Sequence, residues 1–502
     1  MPEILPADTL RALALAGIDA AKQRDVSYAD IRVGNTRELR MALDPWGYAP
    51  QGWLSLEYAY GVRVKVGGVW GFAFGVSPNV DAVAQAARSA VETARGVARL
   101  GARPTELAPA PVVQGAWEPV VAVDPFDISP DDHAKLLGAY RHQARRVLGG
   151  DIEPWTEWQR ETRVFASSDG SLITQRPLRG IVNMRAVGGH LSRRGTRLPI
   201  PGLFSSSAGF ELLTGAPIQE RVKEATEEAA RLVNCPVGEV DVGRYEAVLD
   251  GLTFGDMISV LLLQALEMDR VLGYEADGVG TSFLAPTSEF LGQQICDPSV
   301  NIAAHRSASS FGAMKWDDEG VATQSFPLVT NGRVQNYFMT RDSAPALAEW
   351  AAKQGTPITS YGSAVACAPT VSPTGMASEV HVSPAAQGPT LDELVKQVHN
   401  GVVVRNMGRL TADAQLSGGM AYPAMLFEVK KGQITRRLLN GMVQVGTKSF
   451  LKSIAQLGGG RTMQQYLFES RRGESFARAF SSTYAPAVLL KQLDVMRLAK
   501  AT

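Results

Sequence analysis

The sequence predicts an α+β fold of two domains, each with antiparallel, hairpin-rich sheets and flanking helices. Helical segments alternate with strand-like segments, and several strand pairs are separated by two-residue turns that contain glycine. Such turns join neighbouring strands that run in opposite directions. A Pro-Val-Gly break at residue 236 divides the chain, so we predict domains over residues 1–235 and 236–502.

The first domain is predicted to mix helices with hairpins. Apolar spacing and helix-start residues indicate helices, while alternation around Gly67-Gly68 and Asp169-Gly170 indicates hairpins, because glycine supplies the positive φ angles of tight turns. A stretch rich in Pro and Val from Ala108 to Asp127 indicates an extended connector. The predicted helices are 10–21, 81–100, 129–148 and 219–233, and the predicted strands are 28–33, 61–66 and 69–74.

The second domain is predicted to begin with a strand over Arg244–Asp250 and to continue into a helix over Phe254–Leu272. Two hairpins follow, one turning at Asn331-Gly332 and the other near Lys431-Gly432. Their predicted strands are 321–329 with 333–339, and 421–429 with 433–439.

Composition narrows the classes of function. The 502 residues contain 50 Lys+Arg and 50 Asp+Glu, which argues against a basic nucleic-acid surface or a polybasic membrane patch, since both need an excess of cations. The longest apolar stretch, 257–266, is shorter than the ~20 residues of a membrane span. The N-terminus lacks a charged segment followed by an apolar run, so we expect a cytoplasmic protein without nucleic-acid or membrane partners.

Cysteine and histidine spacing shows no local metal motif. The three cysteines are odd in number and far apart, which favours buried, reduced thiols. The closest histidines are nine residues apart, so no pair lies on one turn of a helix, although distant histidines could still meet in the fold. The histidines are His133, His142, His190, His305, His381 and His399, and the cysteines are Cys235, Cys296 and Cys367.

Two short patterns leave a chemical interpretation open. The carboxylates Asp317, Asp318 and Glu319 could bind a cation or form an acid/base pair, but their spacing favours a solvated turn ended by Gly320. Ser449-Phe-Leu-Lys452 matches Ser-x-x-Lys, in which the lysine deprotonates the serine. Matches of four residues arise often by chance.

The predicted helix 254–272 is apolar nearly all round, which indicates a buried helix. Its terminal charges, Glu267, Asp269 and Arg270, are therefore expected to pair with each other or to lie at a partner surface.

The chain resembles the TldD/PmbA family, peptidase-related proteins once described as modulators of DNA gyrase. The joint order of the matching segments, which extend along nearly the whole chain, is more specific than any one of them. These segments are 28–32, 61–64, 71–73, 248–283, 316–320, 340–344, 391–395 with Gly401, and 485–491.

The resemblance also shows what this chain lacks. Catalytic TldD-type members carry His-Glu-x-x-x-His followed by Glu and Asp, with a later Cys completing the zinc site. Aligned on Glu267 and Asp269, Ser259 stands at the first His, Val260 at the Glu and Gln264 at the second His. No Cys occurs near Ser470, where the later ligand would fall. Neutral Ser and Gln oxygens replace imidazoles poorly on zinc, and Val is no general base, so we expect no metal and no catalytic residue on this chain.

Family members without the metal motif are similar to TldE/PmbA, which pairs with a TldD-type subunit to enclose a chamber. The resemblance implies a non-catalytic subunit of a heteromeric zinc metallopeptidase acting on unfolded or leader peptides, with zinc on the TldD-like partner that carries His-Glu-x-x-x-His. Glu267, Asp269, Arg270, Asp317, Asp318 and Glu319 are then candidate contacts to partner or substrate.

Two alternatives stay open. One is a peptide- or ligand-binding homologue without a peptidase partner, which can form homodimers. The other is a catalyst that uses Ser449 with Lys452, or the 317–319 carboxylates, in place of the metal. Copurification separates the first from the heteromeric peptidase, and substitution of those residues tests the second.

Overall fold

The structure is a computed structural model that describes residues 4–43, 50–147, 150–188, 198–200, 203–307, 309–423, 425–472 and 477–498. Most strand pairs in this part of the chain are antiparallel, which confirms the predicted α+β class. The helices are α1 Ala7–Ala21, α2 Val80–Arg99, α3 Pro130–Ala144, α4 Glu211–Thr214, α5 Ala216–Val233, α6 Gly251–Ile258, α7 Met268–Val271, α8 Thr287–Phe290, α9 Ala348–Gln354, α10 Leu391–Gln397 and α11 Thr447–Ser453.

The first sheet has nine strands, with β3-β2-β1-β5-β6-β4 in lateral order and β7 continuing from β5 to β8 and β9. Gly67 and Gly68 have φ of 59° and 80°, so they form the predicted turn between β2 and β3. The strands are β1 Val26–Leu43, β2 Pro50–Val66, β3 Val69–Gly75, β4 Gln114–Trp117, β5 Gly150–Ser167, β6 Leu172–Gln175, β7 Leu178–Gly188, β8 Leu198–Ile200 and β9 Leu203–Ser206.

The helices α2 and α3 begin within one residue of the predicted start, whereas α1 and α5 begin three residues earlier than predicted, at Ala7 and Ala216. Asn79 caps α2 and Ser129 caps α3, each accepting from a backbone N–H of the first turn. Helix α3 ends at Ala144, earlier than predicted, and Leu148 lies outside the described residues. The connector 108–127 holds the short strand β4 and a 3₁₀ turn at Pro125–Asp127.

Two further sheets follow residue 236. The ten-stranded sheet has the order β10-β22-β21-β18-β11-β27-β23-β20-β19, with β24 on β27, and the six-stranded sheet has the order β14-β13-β12-β17-β26-β25. A small pair joins β15 Ala364–Val365 to β16 Thr374–Gly375. The ten strands are β10 Val237–Glu239, β11 Gly243–Leu249, β18 Asn400–Arg405, β19 Arg409–Ala412, β20 Gly418–Tyr422, β21 Met425–Lys430, β22 Gln433–Leu439, β23 Gly441–Gly446, β24 Ile454–Leu457 and β27 Val488–Arg497. The six strands are β12 Ile302–Ala304, β13 Phe326–Thr330, β14 Arg333–Val334, β17 Glu379–Val382, β25 Gln464–Arg472 and β26 Ala477–Ala485.

Helix α6 lies between these two sheets, against β25 and β26 on one side and β11 and β18 on the other. Its apolar residues belong to the largest buried cluster of the described chain, together with those of both sheets. A second cluster joins α3, α5, β5 and β7 to α10, β18 and β21, so apolar side chains from the first part pack directly on the ten-stranded sheet. The positions that the family resemblance places at the zinc motif follow helix α6, with Ser259 and Val260 buried and Gln264 half-buried.

The predicted single helix 254–272 is wrong. After α6 the chain forms a π turn at Ser259–Leu263 and a 3₁₀ turn at Gln264–Leu266, and Glu267 is extended with ψ of 116° before α7. The cause is a strand-like contact: Phe338 N donates to Leu266 O at 2.8 Å, and Met268 N donates to Phe338 O at 2.9 Å. The predicted 333–339 strand is also shorter than expected, since β14 ends at Val334 and Phe338 forms an isolated bridge with Glu267.

The predicted glycine turns are confirmed, while the prediction of buried cysteines holds only for Cys296. The turns at Asn331-Gly332 and Lys431-Gly432 have the positive φ values that the sequence predicts. All three cysteines lie in described segments and none is in a disulfide, yet only Cys296 is buried, with Cys235 and Cys367 half-buried. None of the described helices is both long enough and apolar enough to cross a membrane.

Candidate functional site

The site is built on the segment from α6 to α7. Asp250 caps α6 by accepting from Thr253 N at 2.8 Å. Two glycines allow the helix to approach the six-stranded sheet closely: a Cβ on Gly251 would lie 2.3 Å from Ala485 O, and one on Gly255 would lie 3.1 Å from the Tyr466 Cβ. The helix therefore rests almost directly on β25 and β26.

A π turn lies between Ser259 and Gln264, the two positions that the family resemblance places at metal-binding histidines. In an α-helix, residues five apart point to different sides, whereas i→i+5 bonding widens the turn until they lie nearly above one another. Ser259 begins this turn and Gln264 immediately follows it. Neither of these two positions carries an imidazole.

Hydrogen bonds occupy the Ser259 side chain. Ser259 is 1% exposed, and its Oγ donates to Gly255 O at 2.7 Å. Its single hydroxyl proton is then used, so Thr483, whose Oγ1 lies 2.7 Å away, is the donor in the second bond. The neighbouring Val260 is 8% exposed and belongs to the apolar core.

Gln264 is also engaged within the chain. Its Nε2 donates to Val260 O at 3.2 Å, and its Oε1 accepts from Arg270 Nη2 at 2.9 Å. Arg270 in turn pairs with Glu267, at 3.1 Å from Nε to Oε2, and donates from Nη1 to Val279 O. The sequence expectation that the terminal charges of this segment pair with each other is confirmed for Glu267 and Arg270.

Asp269 is satisfied by the backbone. Its Oδ2 accepts from Gly375 N at 2.7 Å, in the strand next to Ala364–Val365. Burial raises the pKa of Asp269 to about 7, and the Gly375 N–H opposes that shift. The carboxylate therefore holds β16 against α7, while a role at a partner surface stays a prediction.

The sequence analysis missed Asp256, which lies one turn before Ser259 and is 6% exposed. Burial raises its pKa to about 7, and a hydrogen bond from Tyr466 acts in the opposite direction. Tyr466 stands beside Thr483 in the register of β25 with β26. The available signal was an acidic residue inside an otherwise apolar helix.

The solvated turn expected at residues 317–319 is wrong. Asp317, Asp318 and Glu319 are 5%, 3% and 2% exposed, because they lie against the face of the first sheet. Asp318 pairs with Arg163 of β5, and Glu319 pairs with Arg63 of β2 at 3.0 Å. Since isolated charges are costly to bury, only this pairing makes the burial tolerable.

Asp317 accepts hydrogen bonds from backbone N–H groups, whereas Asp318 and Glu319 pair with arginines. Burial raises its pKa to about 8, the nearby Glu319 adds to this shift, and the backbone N–H groups of Glu319, Val321 and Ala364 oppose it. The three carboxylates thus link the first sheet to the 364–366 segment, since Asp318 also accepts from Ala366 N at 2.7 Å. Whether they contact a partner or a substrate stays a prediction.

Two histidines that are distant in sequence meet in the fold. The rings of His305 and His381 stack with their centroids 4.1 Å apart, and Glu379 Oε1 lies 2.7 Å from His381 Nε2. His133 is buried beside Thr156, with its pKa lowered to about 4 by burial, while His142 and His399 are exposed. His190 lies outside the described residues. Across the described segments, no three His, Cys, Asp or Glu side chains are placed to hold a metal ion.

Ser449 and Lys452, the other pair left open by the sequence, lie on α11. Both side chains are exposed, whereas their neighbours Phe450 and Leu451 are buried. Phe450 and Leu451 belong to the same buried cluster as α6, and the Phe450 ring lies 6.2 Å from that of Phe254. Ser449 and Lys452 thus lie on a different element from the π turn.

Two family models match the chain. Residues 242–497 match the PmbA/TldA metallopeptidase C-terminal domain, and residues 54–94 match the PmbA/TldA metallopeptidase domain 1. The first match covers the whole candidate site, including the π turn and the 317–319 carboxylates.

Curated relatives are named metalloproteases. The chain is 24% identical over 440 residues to a metalloprotease of Methanothermobacter thermautotrophicus, covering 86% of this chain and 87% of that protein. It is 26% identical over 295 residues to a metalloprotease of Archaeoglobus fulgidus, covering 57% of this chain and 61% of the relative.

Solved structures share the fold over almost the full length. TldE from Thermococcus kodakarensis superimposes with a TM-score of 0.70 at 15% identity, and a proposed modulator of a DNA gyrase from Thermotoga maritima with 0.72 at 15% identity. A proposed modulator of DNA gyrase from Bacteroides thetaiotaomicron gives 0.68 at 16% identity. Each match covers 97% of this chain and 99% of the other.

Proposed function

Because the chain belongs to the PmbA/TldD family, we propose that it is the non-catalytic, TldE/PmbA-like subunit of a heteromeric zinc metallopeptidase. In this role it forms part of the wall of a chamber, binds unfolded or leader peptides and positions a TldD-like partner. That partner carries His-Glu-x-x-x-His and the zinc ion. We also propose that the complex is cytoplasmic and acts without nucleic acid or membrane.

The single observation that carries this proposal is the state of the motif positions. The family implies zinc, and the residues here do not fit it: the Ser259 hydroxyl is bonded to Gly255 and Thr483, and Val260 offers no ligand atom. The Gln264 amide is bonded to Val260 O and Arg270. A zinc ion would have to break these bonds to gain neutral oxygen ligands, which bind it weakly.

A peptide-binding role is supported by an open sheet edge. β3 pairs with β2 from Tyr60 to Val66, so between Pro50 and Ala59 the strand partner of β2 among the described residues is β1 alone. An extended peptide can add as a further strand to such an edge, with backbone hydrogen bonds that require no particular sequence. This is a suitable way to hold unfolded substrates of varied sequence.

The test is reconstitution. The complex is isolated from native cells and its subunits and zinc content are determined. This chain, the partner and the mixture are then assayed on a disordered peptide. We expect cleavage by the mixture, none by this chain alone, and one zinc per partner subunit that a chelator removes together with activity. Zinc bound at parity to this chain alone, with chelator-sensitive cleavage, would overturn the proposal.

Matched variants sharpen the result. Gln264→Ala in this chain should leave the zinc content of the complex unchanged, whereas alanine at the second histidine of the partner's motif should abolish it. Recovery of this chain without any His-Glu-x-x-x-His protein would favour a peptide- or ligand-binding homologue. Loss of turnover in Ser449→Ala or Lys452→Met, with assembly intact, would point instead to relocated chemistry.

A further inference from the structure

The first sheet has an open edge along the first half of β2. β3 pairs with β2 only from Tyr60 to Val66, where every β2 residue is buried. From Gly52 to Ala59 the strand has only β1 beside it among the described residues, and every residue there is exposed or half-buried. An unpaired strand edge is a template for a further strand. A peptide that adds here continues the line of β3 beyond Gly75, which lies opposite Tyr60.

Side chains of this edge also line a cleft. The cleft has a volume of about 310 Å³ and is lined by one face of the first sheet and by residues 367–369. From β2 it receives Trp53, Glu57 and Ala59, whose even spacing places their side chains on the same face of the sheet. A residue of an added strand has its side chain on the same face as the β2 residue directly opposite. Peptide side chains opposite Trp53 and Glu57 therefore enter this cleft.

The charges of the cleft leave one carboxylate unpaired at the open edge. Glu38 of the lining pairs with Arg40 at 2.6 Å. Glu161 pairs with Arg163 at 2.7 Å. Glu57 also lines the cleft but is exposed, and among the described residues no cation pairs with it. The edge thus presents a negative charge to the position where a peptide side chain would stand.

Trp53 presents an aromatic surface at the same edge. It is 49% exposed, and its β1 neighbour Arg40 lies over the ring with the guanidinium carbon 5.1 Å from the ring centroid. Trp53 precedes Glu57 by four residues on β2. In an antiparallel strand the direction is reversed, so the residue that faces Trp53 comes four positions after the residue that faces Glu57. Aromatic pairs and pairs of opposite charge are the cross-strand pairs that stabilise a sheet.

We propose that the 52–59 edge of β2 prefers extended peptides in which a basic residue faces Glu57 and an aromatic residue, four positions later, faces Trp53. Backbone hydrogen bonds of the added strand supply affinity without regard to sequence, while these two side chains supply the preference. That the ligand is a peptide rests on the proposed function, whereas the choice among peptides rests on the charge and the ring at this edge.

The experiment measures binding of three short, disordered, fluorescent peptides to the full chain. The first peptide carries Lys with Phe four positions later, the second has Glu in place of Lys, and the third exchanges the Lys and the Phe. We expect the first to bind about fivefold more tightly than the second, because an attraction at Glu57 replaces a repulsion. It should also bind about threefold more tightly than the third, in which only one of the two pairs can form.

Variants assign these preferences to residues. Glu57→Lys should reverse the preference, so that the Glu peptide binds more tightly than the Lys peptide. Glu57 is exposed, so this substitution removes no buried contact. Glu227→Lys, at an exposed position in α5, makes the same change in net charge and should keep the wild-type ratio. Trp53→Ala should make the first and third peptides bind equally and keep the preference for Lys over Glu.

The outcomes separate this proposal from the proposed function. Equal binding of the Lys and Glu peptides to the wild type, or a preference for Lys that persists in Glu57→Lys, overturns the specificity and leaves the proposed function standing. The same holds if Glu227→Lys shifts the ratio as much as Glu57→Lys, since net charge would then decide. Tighter binding of the third peptide than of the first overturns the antiparallel register. Binding of none of the three overturns both this proposal and the peptide-binding role.

Discussion

Asp256 gives the sharpest physical prediction, because its carboxyl is buried in α6 beside Tyr466. Its pKa rises from 3.8 to about 7 on folding, chiefly through burial. Between these values the folded protein keeps a proton that the unfolded chain has released. Asp256 therefore contributes stability that is fully present below pH 3.8 and is lost as the pH rises through about 7.

The magnitude follows from the shift. Three pKa units at 1.36 kcal/mol each give a loss on the order of 4 kcal/mol by pH 8, with a slope of about 1.4 kcal/mol per pH unit between pH 5 and 6.5. In Asp256→Asn the side chain keeps its shape and an acceptor oxygen but cannot ionise. We expect this variant to be more stable than the wild type at pH 8 by up to about 4 kcal/mol, and to differ little at pH 4.

The assay is urea unfolding followed by tryptophan fluorescence at half-unit steps from pH 4 to 8, under conditions where refolding is complete. Asp392→Asn, at an exposed position in α10, is the matched control and should run parallel to the wild type. Tyr466→Phe removes a hydrogen bond that lowers the pKa of Asp256. The stability of this variant should therefore continue to fall at higher pH than that of the wild type. If Asp256→Asn and the wild type show the same dependence on pH, the carboxyl is ionised in the folded chain and the reasoning is wrong.

Two further substitutions test how the site is held in place. Arg63→Met leaves Asp30 and Glu319 buried without their cation, so the free energy of unfolding should fall by about 3–5 kcal/mol; an unchanged urea midpoint would show that neither carboxylate depends on it. Gly251→Ala favours the helix by ~1 kcal/mol but brings a Cβ within 2.3 Å of Ala485 O, so we expect a net loss of about 1–3 kcal/mol, and a higher melting temperature would contradict the close approach.

Much of the local structure could be predicted because its causes lie close together in the sequence. The Gly67-Gly68, Asn331-Gly332 and Lys431-Gly432 turns all have positive φ, and the caps at Asn79 and Ser129 start α2 and α3. Turn and cap chemistry acts over three or four residues, so a sequence reports it directly.

The interruption of the 254–272 helix could not be predicted, because its cause lies elsewhere in the chain. Apolar spacing shows which side of a segment is buried. The same spacing fits a continuous α-helix and a helix that is interrupted by a π turn. The extended backbone at Glu267 depends on Phe338, 71 positions away, which bonds to residues on both sides of it. Such a contact joins two segments that are far apart in the sequence, so local apolar spacing does not reveal it.

The prediction of a solvated turn at residues 317–319 was wrong for a similar reason. Charges next to a glycine usually remain in water, and the arginines that pair with Asp318 and Glu319 come from β5 and β2 of the first sheet. Burial of a charge depends on partners that are distant in sequence, so local composition cannot reveal it.

By itself, the sequence determined which donor atoms stand at Ser259, Val260 and Gln264, because a side chain's donor atoms are fixed by its identity. The structure decided how such groups are used: Ser259 and Gln264 bond within the chain, and His305 stacks on His381. These outcomes depend on which distant strands meet, and that is settled by the sum of many weak contacts over the whole chain.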